Sequence, residues 1–360
     1  MSAPTTLDGL PVPIRETEEE RLRDGHGRAI TDLRLSVTDR CNYRCVYCRT
    51  GTDGAQYDDL PLEAYARMVR LFVSLGVEKI RFTGGEPLLR RGLPELIREV
   101  RAMRPKYADG GLIGRLDLAL TTNGHLLEQM ALPLKEAGLD RVTVSMDAVD
   151  AETMERITRV PGSLERVRAG IRAAQAVGLG PVKVNCVLLR GFNDSQIEAF
   201  AEFSRTEGVI VRFIEFMPLE EPSAEENERA WSPERVVGMD EIVARLERVR
   251  PLRALPANHT SETARRFTFD DGRGEIGIIA PVTRPFCGHC SRIRLTSDGK
   301  LRTCLFSQSD HDLAGRMMRG ASDEELRQWI RGVVEHKEAR HHIGEPGFLK
   351  PSRSMVHIGG

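Results

Sequence analysis

The sequence carries no surplus of either charge. Lysine and arginine number 52 against 53 aspartates and glutamates, a formal net charge of -1. No whole-molecule field therefore draws the chain to nucleic acid or to a membrane surface, and any anion site must be local. No apolar run reaches the length that spans a bilayer. The opening stretch, MSAPTTLDGLPVPIRETEEERLRDGHGR, has no apolar h-region, so no secretory signal is expected. Low-complexity segments are absent too. Nor do the seven cysteines suit a disulfide framework. Three sit at Cys41, Cys45 and Cys48, three at Cys287, Cys290 and Cys304, and Cys186 stands alone. An odd number in two clusters points to a reducing cytoplasm and to metal ligation.

What is present is an α/β rhythm. The 360 residues are 40 % hydrophobic, 29 % charged and 5 % aromatic, a soluble globular profile of a length that suits one α/β barrel with an appendage. From Leu33 onward, short β-branched runs (LRLSVT, KIRFTG, LDLALTT, RVTVSM, VKVNCVLL, VIVRFIEF) alternate with longer helical stretches, several ending in glycine. Six such units predict right-handed βαβ crossovers and a parallel sheet, either open and doubly wound or an incomplete barrel. The expected organisation is a mobile N-terminal extension over residues 1–30, a βα region over 31–219, a smaller α+β appendage over 220–345 and a tail over 346–360.

The first cysteine group, in TDRCNYRCVYCRT, follows the first expected strand, at the end of a parallel sheet that carries chemistry. Spacings of C-x3-C-x2-C offer three thiolates, enough for three corners of a 4Fe–4S cluster, with one iron left for an exogenous ligand. A zinc site wants a fourth ligand, and this loop holds no histidine. With Tyr47 before the last cysteine, the motif resembles the signature of radical S-adenosylmethionine (SAM) enzymes. The resemblance implies that SAM chelates the open iron. RFTGGEPLL after the second strand resembles the superfamily's loop for the methionine end of SAM, with Gly85 the contact; its glycines permit close backbone approach.

The second group, FCGHCSRIRL…LRTC, supplies Cys287, Cys290 and Cys304. Taken alone it is also compatible with structural zinc. His289 lies inside the two-residue loop and reads as a bystander. The paired cysteine groups, with LRLSVTDRC and CSRIRLTSDGKLRTCLF around them, resemble the GTP 3′,8-cyclase family of the radical SAM superfamily. A likeness running from Thr31 to Leu305, with a terminal Gly-Gly as a further match, implies an incomplete (βα)6 TIM-like barrel of the radical SAM type. The C-terminal α+β appendage would carry a second Fe–S cluster.

The resemblance further implies two 4Fe–4S clusters and SAM as cofactors, with GTP bound at the open iron of the second cluster. GTP contacts map onto Arg34, Arg81, Thr121, Lys183, Arg292 and Arg294, and SAM contacts onto Tyr47, Gly85, Ser145 and Met217. Glu86 and Asn123 are further lining candidates. Catalytic roles are implied for Arg292, Arg294 and the terminal Gly359 and Gly360. The implied reaction begins with a 5′-deoxyadenosyl radical that removes the ribose 3′ hydrogen of GTP, and the sugar radical then attacks guanine C8. This is the first step of molybdenum cofactor biosynthesis. An electron donor such as flavodoxin or ferredoxin and a downstream cyclic pyranopterin monophosphate synthase are the implied partners, and a homodimer is compatible with the resemblance. After Cys48 the chain has RTGTDG where the family usually has Met-Pro. Rival readings are a radical SAM peptide maturase with an auxiliary cluster, and an electron-transfer or zinc protein. Cys186 reads as a small buried hydrophobe.

Overall fold

A computed structural model describes residues 21–48, 55–105, 114–219, 231–351 and 353–359. The segment RTGTDG, most of the polar connection after Leu219, and Gly360 lie outside the described residues.

The expected rhythm is present. Strands β1 (Asp32–Ser36), β2 (Lys79–Thr83), β3 (Asp117–Thr122), β4 (Arg141–Ser145), β5 (Lys183–Leu188) and β6 (Ile210–Glu215) pair in sequence, all parallel. Between them run α1 (Leu62–Ser74), α2 (Leu93–Ala102), α3 (Leu127–Glu136), α4 (Ala151–Thr158), α5 (Ser163–Ala176) and α6 (Ile197–Glu207). Helix α1 buries Tyr65, Met68, Val69 and Phe72 on one stripe, at the helical spacing that seats it on the sheet. Helix α4, absent from the sequence reading, starts where the Asp150 carboxylate accepts from the Thr153 N–H.

The remainder comprises α7 (Met239–Val249), β7 (Leu252–Leu255), β8 (Arg265–Phe269), β9 (Glu275–Ile279), β10 (Arg292–Leu295), β11 (Lys300–Arg302), β12 (His311–Asp312), α8 (Leu313–Met318), α9 (Asp323–Glu335) and α10 (Met355–Ile358). These strands do not build a separate appendage. They continue the same sheet on both sides, in the order β12-β11-β10-β1-β2-β3-β4-β5-β6-β9-β8-β7. Strand β10 is parallel to β1 and β9 is parallel to β6, while the outer strands are antiparallel. The reason is physical: the six parallel strands leave two unpaired edges, and the C-terminal strands cover both.

Alternation sorts the side chains. Leu33, Leu35, Ile80, Phe82, Val184, Cys186, Val211 and Phe213 are buried in the core. The intervening Arg34, Arg81, Lys183, Asn185 and Arg212 line a common cavity with residues from β10 and β9, so the sheet curls around that space.

Of the mobile N-terminal extension expected over residues 1–30, residues 1–20 lie outside the described residues and residues 21–30 are packed: Leu22 and Ile30 are buried, and the Leu22 N–H donates to the Leu75 carbonyl. The tail is anchored as well. In α10, Val356, His357 and Ile358 are buried, and Arg353 pairs with Asp298 and Asp310 while stacking over the Tyr57 ring at 4.3 Å.

Candidate functional site

The two cysteine groups lie at opposite ends of the parallel strands, a consequence of strand direction. Cys41, Cys45 and Cys48 follow the C-terminal end of β1. Cys287 and Cys290 precede β10, which is parallel to β1, and Cys304 follows β11, which runs back alongside it. The second trio therefore meets at the N-terminal end of the strands, and all three of its members line the cavity.

At the first end, the Cys48 N–H donates to the Cys45 carbonyl at 3.1 Å, and the Asn123 amide lies 3.9 Å from Cys41 Sγ. Burial pushes the Cys45 thiol well up, and the neighbouring Asp147, Cys48 and Cys41 add to it. The Tyr47 hydroxyl donates to Asp147 at 2.7 Å. Gly84 and Gly85 pass so close to the cysteine loop that a Cβ on either would collide with a carbonyl oxygen, Thr38 for one and Arg40 for the other. Glu86 is fully buried and accepts from Leu88 N, Asn123 N and Thr122 Oγ1 at 2.7–2.9 Å, while burial raises its carboxyl to about 7. It braces this loop rather than facing a ligand.

At the other end, burial raises the Cys290 thiol but the charges of Arg292 and Lys337 outweigh it, bringing the group to about 7. Burial raises the Cys304 thiol. Arg292 Nη2 lies 3.7 Å from Cys290 Sγ, with its guanidinium 5.0 Å above the Phe286 ring. His289 is exposed, as a bystander would be. His341 lines the cavity beside the Phe306 ring, and His342 pairs with Glu345.

Between the ends stands a wall of cations. Arg294, Arg34 and Arg81 are register partners across β10, β1 and β2, so three guanidinium groups sit side by side. Burial holds Arg34 well below its ordinary value, and Arg294, Arg292 and Arg81 press it further down. The same causes lower Arg81 and Arg294 to about 10, Arg212 to about 9 and Lys183 to about 8, burial foremost in each. Arg81 donates to Thr121 and Thr143 hydroxyls at 3.1 Å, and Arg212 to Asn185 at 2.9 Å, so neutral groups rather than acids orient them. Such a wall is built to receive an anion of several charges.

The structure thus brings together Arg34, Arg81, Thr121, Lys183, Arg292, Arg294 and Met217 around one cavity of ≈ 230 Å³. Tyr47, Gly85 and Ser145 do not line it; Tyr47 lies within the first cysteine loop, Gly85 follows β2 against that loop, and Ser145 ends β4. Gly359 reaches the cavity wall: its carbonyl accepts from Arg294, and at φ 78° a Cβ there would collide with Ser36 Oγ. The sequence reading missed Lys79, Arg141, Arg212 and Lys337, which line the same cavity. Arg212 had a signal, a lone cation inside the apolar strand IVRFIE.

Two family models match the chain, the Radical SAM superfamily over residues 35–204 and Molybdenum Cofactor Synthesis C over residues 209–343. A GTP 3′,8-cyclase of Peptoclostridium acidaminophilum is 41 % identical over 343 residues, covering 94 % of this chain and 98 % of that protein. One from Acidothermus cellulolyticus is 44 % identical over 335 residues, covering 89 % and 88 %. The chain belongs to the GTP 3′,8-cyclase family. The crystal structure of Streptococcus suis SuiB bound to precursor peptide SuiA shares the fold, with a TM-score of 0.54 at 13 % identity over 85 % of this chain and 68 % of that one.

Membership in the radical SAM superfamily implies a 4Fe–4S cluster and SAM at the first cysteine group. The donors present fit that group. Three thiols share one loop, close enough to perturb Cys45 mutually, and Gly84 and Gly85 leave the adjoining backbone without side chains. Among the described residues, no three His, Cys, Asp or Glu side chains converge on a point that would hold a single metal ion. A cubane, whose irons occupy separate corners, does not require such convergence. Among the described residues no helix is long and apolar enough to cross a membrane.

Proposed function

We propose that this cyclase-family chain converts GTP to (8S)-3′,8-cyclo-7,8-dihydroguanosine 5′-triphosphate, the first step of molybdenum cofactor biosynthesis. The observation that carries the proposal is the largely enclosed wall of Arg34, Arg81, Arg294, Arg212 and Lys183, with a second trio of thiols at the end of the same cavity. A nucleoside triphosphate answers that charge, and planar guanidinium groups suit its phosphate oxygens. The curled sheet is read as an incomplete barrel, β1 to β6, closed toward the cavity by the C-terminal strands.

In this reading Cys41, Cys45 and Cys48 hold one 4Fe–4S cluster and Cys287, Cys290 and Cys304 a second. Tyr47, Gly85, Ser145 and Met217 would hold SAM. When bound, these groups supply the radical chemistry that removes the ribose 3′ hydrogen and joins C3′ to guanine C8. The chain's own residues do the rest. Arg34, Arg81 and Lys183 neutralise and orient the triphosphate, and Thr121 shares a hydrogen bond with Arg81 that fixes its direction. Arg292 and Arg294 stand between the second thiol trio and the other cations, where they face the reacting nucleoside. Gly359, held by Arg294, closes the cavity against water. The enzyme is a cytoplasmic lyase, supplied with electrons by a small carrier such as flavodoxin or ferredoxin, and its product passes to cyclic pyranopterin monophosphate synthase.

An anaerobic turnover assay with reductant and SAM, comparing GTP with ATP and ITP, tests this. Deoxyadenosine formation should require GTP and be accompanied by cyclised nucleotide. Deoxyadenosine released regardless of GTP, with no cyclised nucleotide, would overturn the proposal.

A further inference from the structure

Arg28 lies before the first strand, in a segment that no part of the site described above includes. Its guanidinium nevertheless joins two distant pieces of chain to its own segment. Nη1 donates to the Cys287 carbonyl at 2.8 Å and to Ala339 O at 2.8 Å, Nη2 donates to Glu338 O at 2.6 Å, and Nε donates to Asp24 at 2.6 Å. Asp24 is buried, and its other oxygen accepts from the His26 and Arg28 N–H groups at 3.0 Å, so the carboxylate aligns the arginine from both sides.

The segment that Arg28 grips leads on to the third cysteine. Lys337 is buried and its ammonium donates to Thr303 O, while Thr303 Oγ1 donates to Glu338 at 2.7 Å. Thr303 immediately precedes Cys304. One guanidinium therefore ties the Cys287 segment directly, and the Cys304 segment through residues 337–338. A planar fork with five donors can span these carbonyls, whereas an ammonium cannot.

We propose that Arg28, aligned by Asp24, is a positioning residue for the second cysteine group, fixing the Cys287 and Cys304 segments relative to each other so that their thiols hold a cluster. The proposal rests on the reading above that this group binds iron. The test compares wild type with Arg28→Lys, which keeps the charge beside Asp24 but loses the fork, and with Arg28→Ala and Asp24→Asn. After anaerobic reconstitution, iron release to a chelator is followed, together with the EPR signal that responds to SAM. Amide exchange over residues 286–291 is measured in the iron-free proteins.

In Arg28→Lys the second group should release iron at least ~tenfold faster, a magnitude usual for groups that orient metal ligands. The SAM-responsive signal of the first group should remain, and exchange over 286–291 should rise. Wild-type release and exchange in that variant would overturn the proposal. So would equal loss from both groups with a lowered Tm, since that describes general loosening. If wild-type protein itself carries iron at the first group alone, the cluster reading fails. The clamp is then judged by exchange, and unchanged protection in Arg28→Lys rejects it.

Discussion

The guanidinium of Arg294 donates to the carbonyl oxygen of Gly359, joining a strand of the cavity wall to a residue 65 positions later in the chain. Both neighbours of that bond are constrained. Arg294 stands in register with Arg34, and Gly359 adopts φ 78° against Ser36 and Thr83.

Gly359→Ala should dislodge the tail, because the backbone conformation disfavours any side chain and the new methyl collides with Ser36. A penalty of ~1–3 kcal/mol for such strain corresponds to a ~5- to 150-fold loss of cyclised product, with iron content unchanged. Product formation at the wild-type rate would show that the tail has no part in catalysis.

Arg34→Met should have opposite effects on stability and binding. Arg34 is half-buried beside three other guanidinium groups, and among the described residues no acid lies within ion-pair distance of it. Removing it should raise the Tm of the iron-free protein and weaken GTP binding ~tenfold or more, the scale of a charge-assisted contact. Calorimetry reads both quantities, and a lowered Tm would contradict the repulsion argument.

Lys183 makes GTP affinity depend on pH. Burial, with Arg212 and Arg141 nearby, lowers its ammonium to about 8 in the free protein. A bound polyphosphate favours the charged form, so binding takes up a proton above that value. Affinity should level off about a unit below pH 8 and fall by up to ~tenfold per unit above it. Lys183→Met should bind more weakly and lose this slope. Isothermal titration between pH 7 and 9.5 decides, and an unchanged slope in the variant would assign the effect elsewhere.

Cys186→Ala should leave iron content and SAM binding at wild-type levels. Its thiol is fully buried in the core, 3.7 Å from the Asp147 carbonyl, on the face of β5 opposite Lys183 and Asn185. Cys45→Ala, by contrast, should remove the SAM-responsive EPR signal. Reduced iron in Cys186→Ala would mean that this residue also serves a metal.

The parallel strands were legible because their pattern is local. In β1, β2 and the first four residues of β5 a charged or polar residue alternates with Leu, Ile, Val, Phe or Cys, and that period marks both the strand and its cavity face; β6 shows it only at Arg212. The cysteine spacings were legible for the same reason. Which strand neighbours which is not a local property. Nothing within RIRL or EIGII says that one will flank β1 and the other β6, so residues 220–345 read as an appendage. Arg28 and His357 carried no periodic signal at all. Their roles arise from partners far along the chain, a carbonyl of Cys287 for one and the carboxylate of Asp39, 3.8 Å away, for the other.

The flanking of β1 by β10 has a consequence for biogenesis. The Ser291 hydroxyl bonds to Asp32 across 259 residues of sequence. A nascent chain leaving the ribosome therefore holds the first cysteine loop long before the wall that encloses it exists. The second thiol trio comes together only after nearly complete translation, so the cysteines of the first loop wait through that interval as bare thiols. The route to active protein is then set as much by the order of synthesis as by the finished fold.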